Sequence, residues 1–165
     1  MRSYNHGRFQ QQASFLRHQF LHGQSELTLL RTLMNVFRPG DVMLADRLMC
    51  AWTEMVMLKQ RGVDSVCRFT IHRKADFRKG QRLGAGDHIV VWPKPPKPRT
   101  IDRKTYAALP DSLTVRECCV CIRQRGFRIR TLVIATTLLD AEAYSKRTLR
   151  SSIGHAGMQN STCGP

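Results

Sequence analysis

Acidic residues are scarce in this sequence: 12 Asp and Glu stand against 27 Lys and Arg, and residues 1–22 contain no acid at all. Long apolar runs are also missing. None approaches the roughly 20 residues needed to cross a bilayer, which excludes a membrane-spanning helix. The opening stretch MRSYNHGRFQQQASFLRHQF lacks the uninterrupted apolar core of an export signal. No internal repeat and no long low-complexity tract occurs, so solenoids and arrays are excluded. The six cysteines, at 50, 67, 118, 119, 121 and 163, follow no regular spacing. Without an export signal they read as reduced thiols in a cytoplasmic protein. Cys118 and Cys121 do form a CxxC, but no second Cys or His pair stands at zinc-ligand spacing, so ordinary strand residues are the simpler account of ECCVCIR.

What is present is positive charge. A net charge of +15 on 165 residues attracts polyanions at a distance and favours phosphate contacts through counterion release, which makes nucleic acid the natural partner. A generally basic protein without a specific partner is the plain alternative. A membrane-surface role is disfavoured, because the basic residues are dispersed and not gathered on one amphipathic helix. The length suits one domain with a real core.

Between Gln24 and Phe37 the apolar residues Leu27, Leu30, Met34 and Phe37 recur at helical spacing, and Pro39-Gly40 stops the pattern. Val42-Met43-Leu44-Ala45 is apolar on both alternating faces, as in a short parallel strand covered on both sides. A second helix is predicted from Leu48 to Arg61, closed by Gly62 where a left-handed cap is cheap. Beyond it, VDSVCRFT, HIVVWP, LTVRECCVCI and RIRTLVIATTL read as strands of a mostly antiparallel sheet. HRKADFRKGQRLGAGD and PKPPKPR are basic connectors, solvated by default and phosphate-contacting in the sharper reading. Trp52 and Trp92 sit in apolar runs and read as packing residues; Glu54 reads as a solvent-facing helix residue.

Ligands of open α/β sheets gather beyond the carboxyl ends of parallel strands, and Asp46 stands at that end of the one strand that reads as buried. A carboxylate there can bind a divalent metal, or simply cap a turn.

Four strings in order, FRPGDVMLADRLMCAW, GVDSVCRFTIHRKADFRKGQRLGAGDHIVVWPKP, LTVREC and RTLVIATTLLDAEAYSK, resemble transposases of the insertion-sequence-four type over about Gly23 to Lys146. The resemblance implies an α/β fold: a partial ribonuclease-H-like domain (23–62) carrying a β-rich antiparallel insertion (63–139), after an irregular N-terminal segment (1–22). It implies two-metal phosphodiester chemistry with Mg2+ or Mn2+ held by an Asp, Asp, Glu triad. Asp46 matches the second acid, catalytic and metal-binding, and Arg47 the arginine after it. With Arg47, the basic-connector residues Arg73, Lys74, Arg78, Lys79, Arg82, Lys94, Lys97 and Arg99 are the expected DNA contacts. DNA is the implied partner, with association with a full-length transposase allowed and no membrane involved.

Two acids of the triad have no counterpart. The first belongs upstream of the Gln24 helix, where Met1 to His22 carries none, and the Glu belongs after YSK, where the chain reads RTLRSSIGHAGMQNSTCGP. Degenerate codons for Lys146 to Pro165 can be read in another frame as EDLAQLYRPRWNAELDLRS, which restores the family pattern Tyr, two residues, Arg, three residues, Glu. Residues 147–165 are therefore expected to be an out-of-frame, disordered tail. The whole reads as an inactive transposase remnant, with a non-catalytic basic nucleic-acid-binding module as the alternative.

Overall fold

The computed structural model describes residues 26–69, 73–122 and 130–158. The chain divides into two compact units, residues 1–36 and 37–165. In the first, helix α1 (Glu26–Leu33) runs into a 3-10 turn (Met34–Val36). Of the four apolar residues at helical spacing, Leu30 and Met34 are buried and Leu27 and Phe37 half-buried; Leu29 is buried as well. Gln24 and Ser25, the expected start of this helix, lie outside the described residues.

The second unit is mixed α/β around one six-stranded sheet. Strand β1 (Val42–Ala45) leads through a 3-10 turn (Arg47–Met49) into helix α2 (Trp52–Gln60), and β2 (Asp64–Arg68) returns parallel to β1, with Val42 opposite Asp64 and Ala45 opposite Cys67. Gly62 turns the chain between α2 and β2 at φ +74°, a conformation that costs glycine nothing. There follow β3 (Gln81–Gly84), β4 (Asp87–Pro93), the short helix α3 (Arg103–Ala107), β5 (Ser112–Ile122), β6 (Arg130–Thr136) and helix α4 (Lys146–Met158). The strand order is β1-β2-β6-β5-β4-β3, and every pairing except β1 with β2 is antiparallel.

The expected boundary at residue 62 therefore falls inside a strand-helix-strand unit. β1 needs β2 as its hydrogen-bonding neighbour, and β6 then continues the same sheet into the antiparallel part, so the two parts share one sheet. β1 is an edge strand, with Leu44 40% exposed. Glu54 corrects another expectation. It is buried, because α2 is enclosed on most sides: Trp52, Thr53, Met55, Val56 and Leu58 are buried with it. Helical spacing alone could not reveal this.

The largest departure lies at the C-terminal end. The tail was expected to be disordered, yet α4 covers Lys146–Met158. The Ser145 side chain caps it by accepting from the Thr148 N–H at 3.2 Å. Leu149 and Ile153, one helical turn apart, join Val66, Cys118, Val120, Ile134 and Leu138 in a buried cluster. Two apolar residues at this spacing suffice to hold a polar helix when a sheet face supplies the rest of the core. Residues 159–165 lie outside the described residues. Leu149→Ala is expected to destabilise the protein by about 2–5 kcal/mol, the usual cost of such a cavity, whereas exposed Arg150→Ala should leave the urea midpoint unchanged. Equal midpoints for the two variants would show that α4 contributes nothing to the core.

Candidate nucleic-acid interface

Successive strand residues point to opposite faces of a sheet. Val66 joins the α4 cluster, whereas Cys67 points the other way, its thiol 4.0 Å from the Met49 carbonyl in the turn that leads to α2. On this second face the chain beyond β2 continues the sheet briefly, the Phe69 N–H donating to the Val133 carbonyl at 2.8 Å. A cleft of about 400 Å3 opens where β2 ends, lined by Arg47, Arg68, Arg73 and Lys74 together with Phe69 and Phe77. Four cations beside aromatic side chains are suited to phosphates and to the faces of bases.

Asp46 stands beside this cleft at the carboxyl end of β1. Its carboxylate, 62% exposed, accepts from the Arg47 N–H at 2.7 Å and lies 3.3 Å from Arg68 Nη1. It thus caps the 3-10 turn and pairs with a cleft arginine. Among the described residues no group of three or more His, Cys, Asp or Glu side chains is placed to hold a metal ion. One carboxylate with a guanidinium at its oxygen does not fit the Mg2+ or Mn2+ centre that the family resemblance implies, because a hard divalent cation needs several oxygen donors and is repelled by the arginine.

The ten residues singled out in the sequence do not all come together. Arg47, Arg73 and Lys74 line the cleft. Arg78 pairs with Asp76 through Nε at 2.8 Å, and this arginine holds the Asp76 carboxyl below the usual carboxylate range. Lys79 is 3.9 Å from the same acid, and both cations are largely exposed. Arg82 and Arg99 are exposed elsewhere on the surface. Lys94 and Lys97 serve the fold. Lys94 donates to the Leu109 carbonyl at 2.6 Å and lies over the Tyr106 ring, and Lys97 donates to the Ile101 carbonyl at 2.8 Å. With the Tyr106 hydroxyl donating to the Pro95 carbonyl, these lysines lock the proline-rich connector in place.

Sequence reasoning missed Arg68, which reads as a strand residue, and the support beneath the cleft. Arg73 stacks on Trp92 at 3.9 Å from the ring centre. The Trp92 indole N–H donates to Glu117 Oε1 at 2.7 Å, and Glu117 Oε2 lies 2.9 Å from His88 Nε2. His88 Nδ1 is 2.7 Å from the Lys79 carbonyl, and Phe77 packs on the imidazole with ring centres 4.7 Å apart. The signal available in the sequence was the alternation of β5: Val115, Glu117 and Cys119 share one side, which puts an acid among apolar neighbours. Trp52 and Trp92 are both buried, as expected of packing residues, and the Trp52 indole N–H donates to the Trp92 carbonyl at 3.2 Å.

The CxxC motif holds no site. Cys118 and Cys121, three residues apart on β5, point to opposite faces; the first is buried and the second exposed. Burial pushes the Cys118 thiol up to about 11, so it stays protonated and unreactive at neutral pH. Among the described residues no helix is long and apolar enough to cross a membrane. In comparisons with known proteins, the chain matches no family model, no curated protein and no solved structure.

Proposed function

We propose that this chain is part of the catalytic domain of an insertion-sequence-four-type transposase, one that keeps a DNA-binding surface and lacks a working metal centre. The observation that carries the reading is the convergence of Arg47, Arg68, Arg73 and Lys74 on one cleft beside Asp46. Two features support it further. The β1-α2-β2 unit, parallel and ending its first strand in Asp46, is what a ribonuclease-H-like domain would contribute. The antiparallel strands that follow, ahead of a closing helix, suit a β-rich insertion.

Binding without cutting follows from the donors. Asp46 is committed to Arg47 and Arg68, and no second carboxylate joins it among the described residues. That observation favours a non-catalytic DNA-binding role for the chain as it stands.

The test is titration of the purified chain into labelled duplex DNA at several salt concentrations, alongside incubation with supercoiled DNA in Mg2+ or Mn2+. Binding that weakens steeply with salt, without nicking, is expected. Mn2+-dependent nicking abolished by Asp46→Asn would overturn the absence of a working centre. Failure to bind DNA at low salt would remove the functional reading altogether.

A further inference from the structure

We propose that Cys50 and Cys67 form a covalent modification site, a buried dithiol that hydrogen peroxide closes to a disulfide, stapling the turn after β1 to β2. The inference is independent of what the cleft binds.

A whole crossover separates the two cysteines in sequence, and the fold brings them together. Cys67 stands opposite Ala45 in the parallel register of β1 and β2. Just after Ala45 the chain turns tightly. Asp46 caps the 3-10 turn, the Met49 N–H donates to the Asp46 carbonyl at 3.0 Å, and the Cys50 N–H donates to the Arg47 carbonyl at 3.2 Å. The turn thus keeps Cys50 close to the end of β2. Cys67 Sγ lies 4.0 Å from the oxygen of the Met49 carbonyl, whose carbon is bonded to the Cys50 nitrogen. The two thiols are hydrogen-bonded to each other.

No other described cysteine competes for this position. Cys118 belongs to the cluster that contains Val66, on the face of the sheet away from Cys67. Cys119 and Cys121 are on the Cys67 side, but on β5. Cys67 is level with Ala135 of β6, and Ala135 with Glu117 of β5, so β5 is two strands away, about 10 Å. Cys163 lies outside the described residues.

The order of reaction follows from burial. The hydrogen bond with Cys50, and then burial, hold the Cys67 thiol well above the usual thiol range, so Cys67 keeps its hydrogen. Cys50, 6% exposed against 0% for Cys67, is the sulfur that a small uncharged oxidant meets first. As a thiolate it attacks one peroxide oxygen and the O–O bond breaks. The other oxygen leaves as hydroxide, takes up the proton that Cys50 released and becomes water, while Cys50 becomes a sulfenic acid. The Cys67 sulfur then attacks the Cys50 sulfur: the S–S bond forms, the S–O bond breaks, and the departing hydroxide takes the Cys67 proton. Two thiols and one peroxide give one disulfide and two waters, with two electrons passing from sulfur to peroxide.

The closed loop contains all of α2 (Trp52–Gln60). The bond therefore fixes the β1-α2-β2 crossover and stabilises it by restricting the unfolded chain. Arg47, in the turn that ends at Cys50, and Arg68, next to Cys67, are then tied through a single covalent link.

The test treats the full reduced chain with hydrogen peroxide near neutral pH, blocks the remaining thiols by alkylation in denaturant, and reads the tryptic peptides by mass spectrometry. Cys50 falls on the peptide LMCAWTEMVMLK and Cys67 on GVDSVCR. These two are expected to be joined, with the loss of two hydrogens, and to be separated by dithiothreitol. Oxidation should also raise the urea midpoint by about 1–2 M, the scale for a loop of this length. The reference is Cys50→Ala treated identically, which undergoes any methionine oxidation without the bond. Recovery of Cys50 and Cys67 as alkylated thiols overturns the proposal, as does either of them joined to Cys118, Cys119, Cys121 or Cys163. A bond that brings no rise in midpoint overturns the staple. If Cys50→Ala fails to fold, the oxidised wild type before and after dithiothreitol supplies the comparison, and the midpoint must fall on reduction.

Discussion

Asp87→Ala is expected to lower the unfolding free energy by about 3–5 kcal/mol, the usual result of leaving a buried charge without its partner. The Arg116 guanidinium, 1% exposed, receives both carboxylate oxygens of Asp87, through Nε at 2.8 Å and Nη2 at 2.7 Å. Its remaining nitrogen donates to the Tyr144 carbonyl at 2.6 Å. One side chain thus joins β4, β5 and the approach to α4. Removing Asp87 leaves a buried cation with a single carbonyl, and the loss is a large share of a typical total of about 5–15 kcal/mol. Urea denaturation checks this through a large drop in midpoint at unchanged slope. Replacing Asp87 and Arg116 together by leucine should cost much less than the single change, since no charge is then stranded. The exposed pair of Asp76 and Arg78 provides the contrast: Asp76→Ala should leave the midpoint where it was. A mild effect of Asp87→Ala would mean that water reaches Arg116.

Replacing Arg47, Arg68, Arg73 and Lys74 together by alanine should reduce DNA affinity at low salt by at least about a hundredfold. It should also make the plot of log affinity against log salt shallower by roughly 3–4, since each phosphate contact contributes about 0.9 to that slope on duplex DNA. The matching change at Lys94 and Lys97 should leave the salt slope nearly intact and cost stability, because their ammonium groups are occupied by the Leu109 and Ile101 carbonyls. Equal loss of slope in the two variants would show that the positive charge acts as a diffuse field and that the cleft has no special part. Arg68 needs a separate measurement. Its removal also unmasks the Asp46 carboxylate beside the cleft, so Arg68→Ala should weaken binding at least as much as Arg73→Ala, the bared negative charge repelling phosphate.

Where residue order and local periodicity decide the outcome, the sequence was sufficient. Val42 to Ala45 could only be a short strand between breakers, Gly62 stands where a left-handed turn is needed, and the four later β-like runs each became a strand. The antiparallel character of the second half, the burial of both tryptophans and the position of Asp46 at a strand end were legible for the same reason. α4 was not legible: its glycines and polar residues give a weak helical signal, and only the sheet face presented by Val66, Cys118 and Ile134 makes Leu149 and Ile153 worth burying. β3 was hidden inside a basic connector because an edge strand of four residues needs no apolar pattern of its own.

The charge was determined by composition alone: an excess of 15 positive charges predicts affinity for polyanions whatever the fold. Which cations gather in one place was decided by tertiary structure. Four residues, from the turn after β1, the end of β2 and the segment following it, meet at one cleft, while Lys94 and Lys97, equally basic in sequence, spend their hydrogen bonds on backbone carbonyls. Charge is a property of residues and sums along the chain. A binding site depends on distances between residues far apart in sequence, and those are set by how β2, β4, β5 and β6 pair.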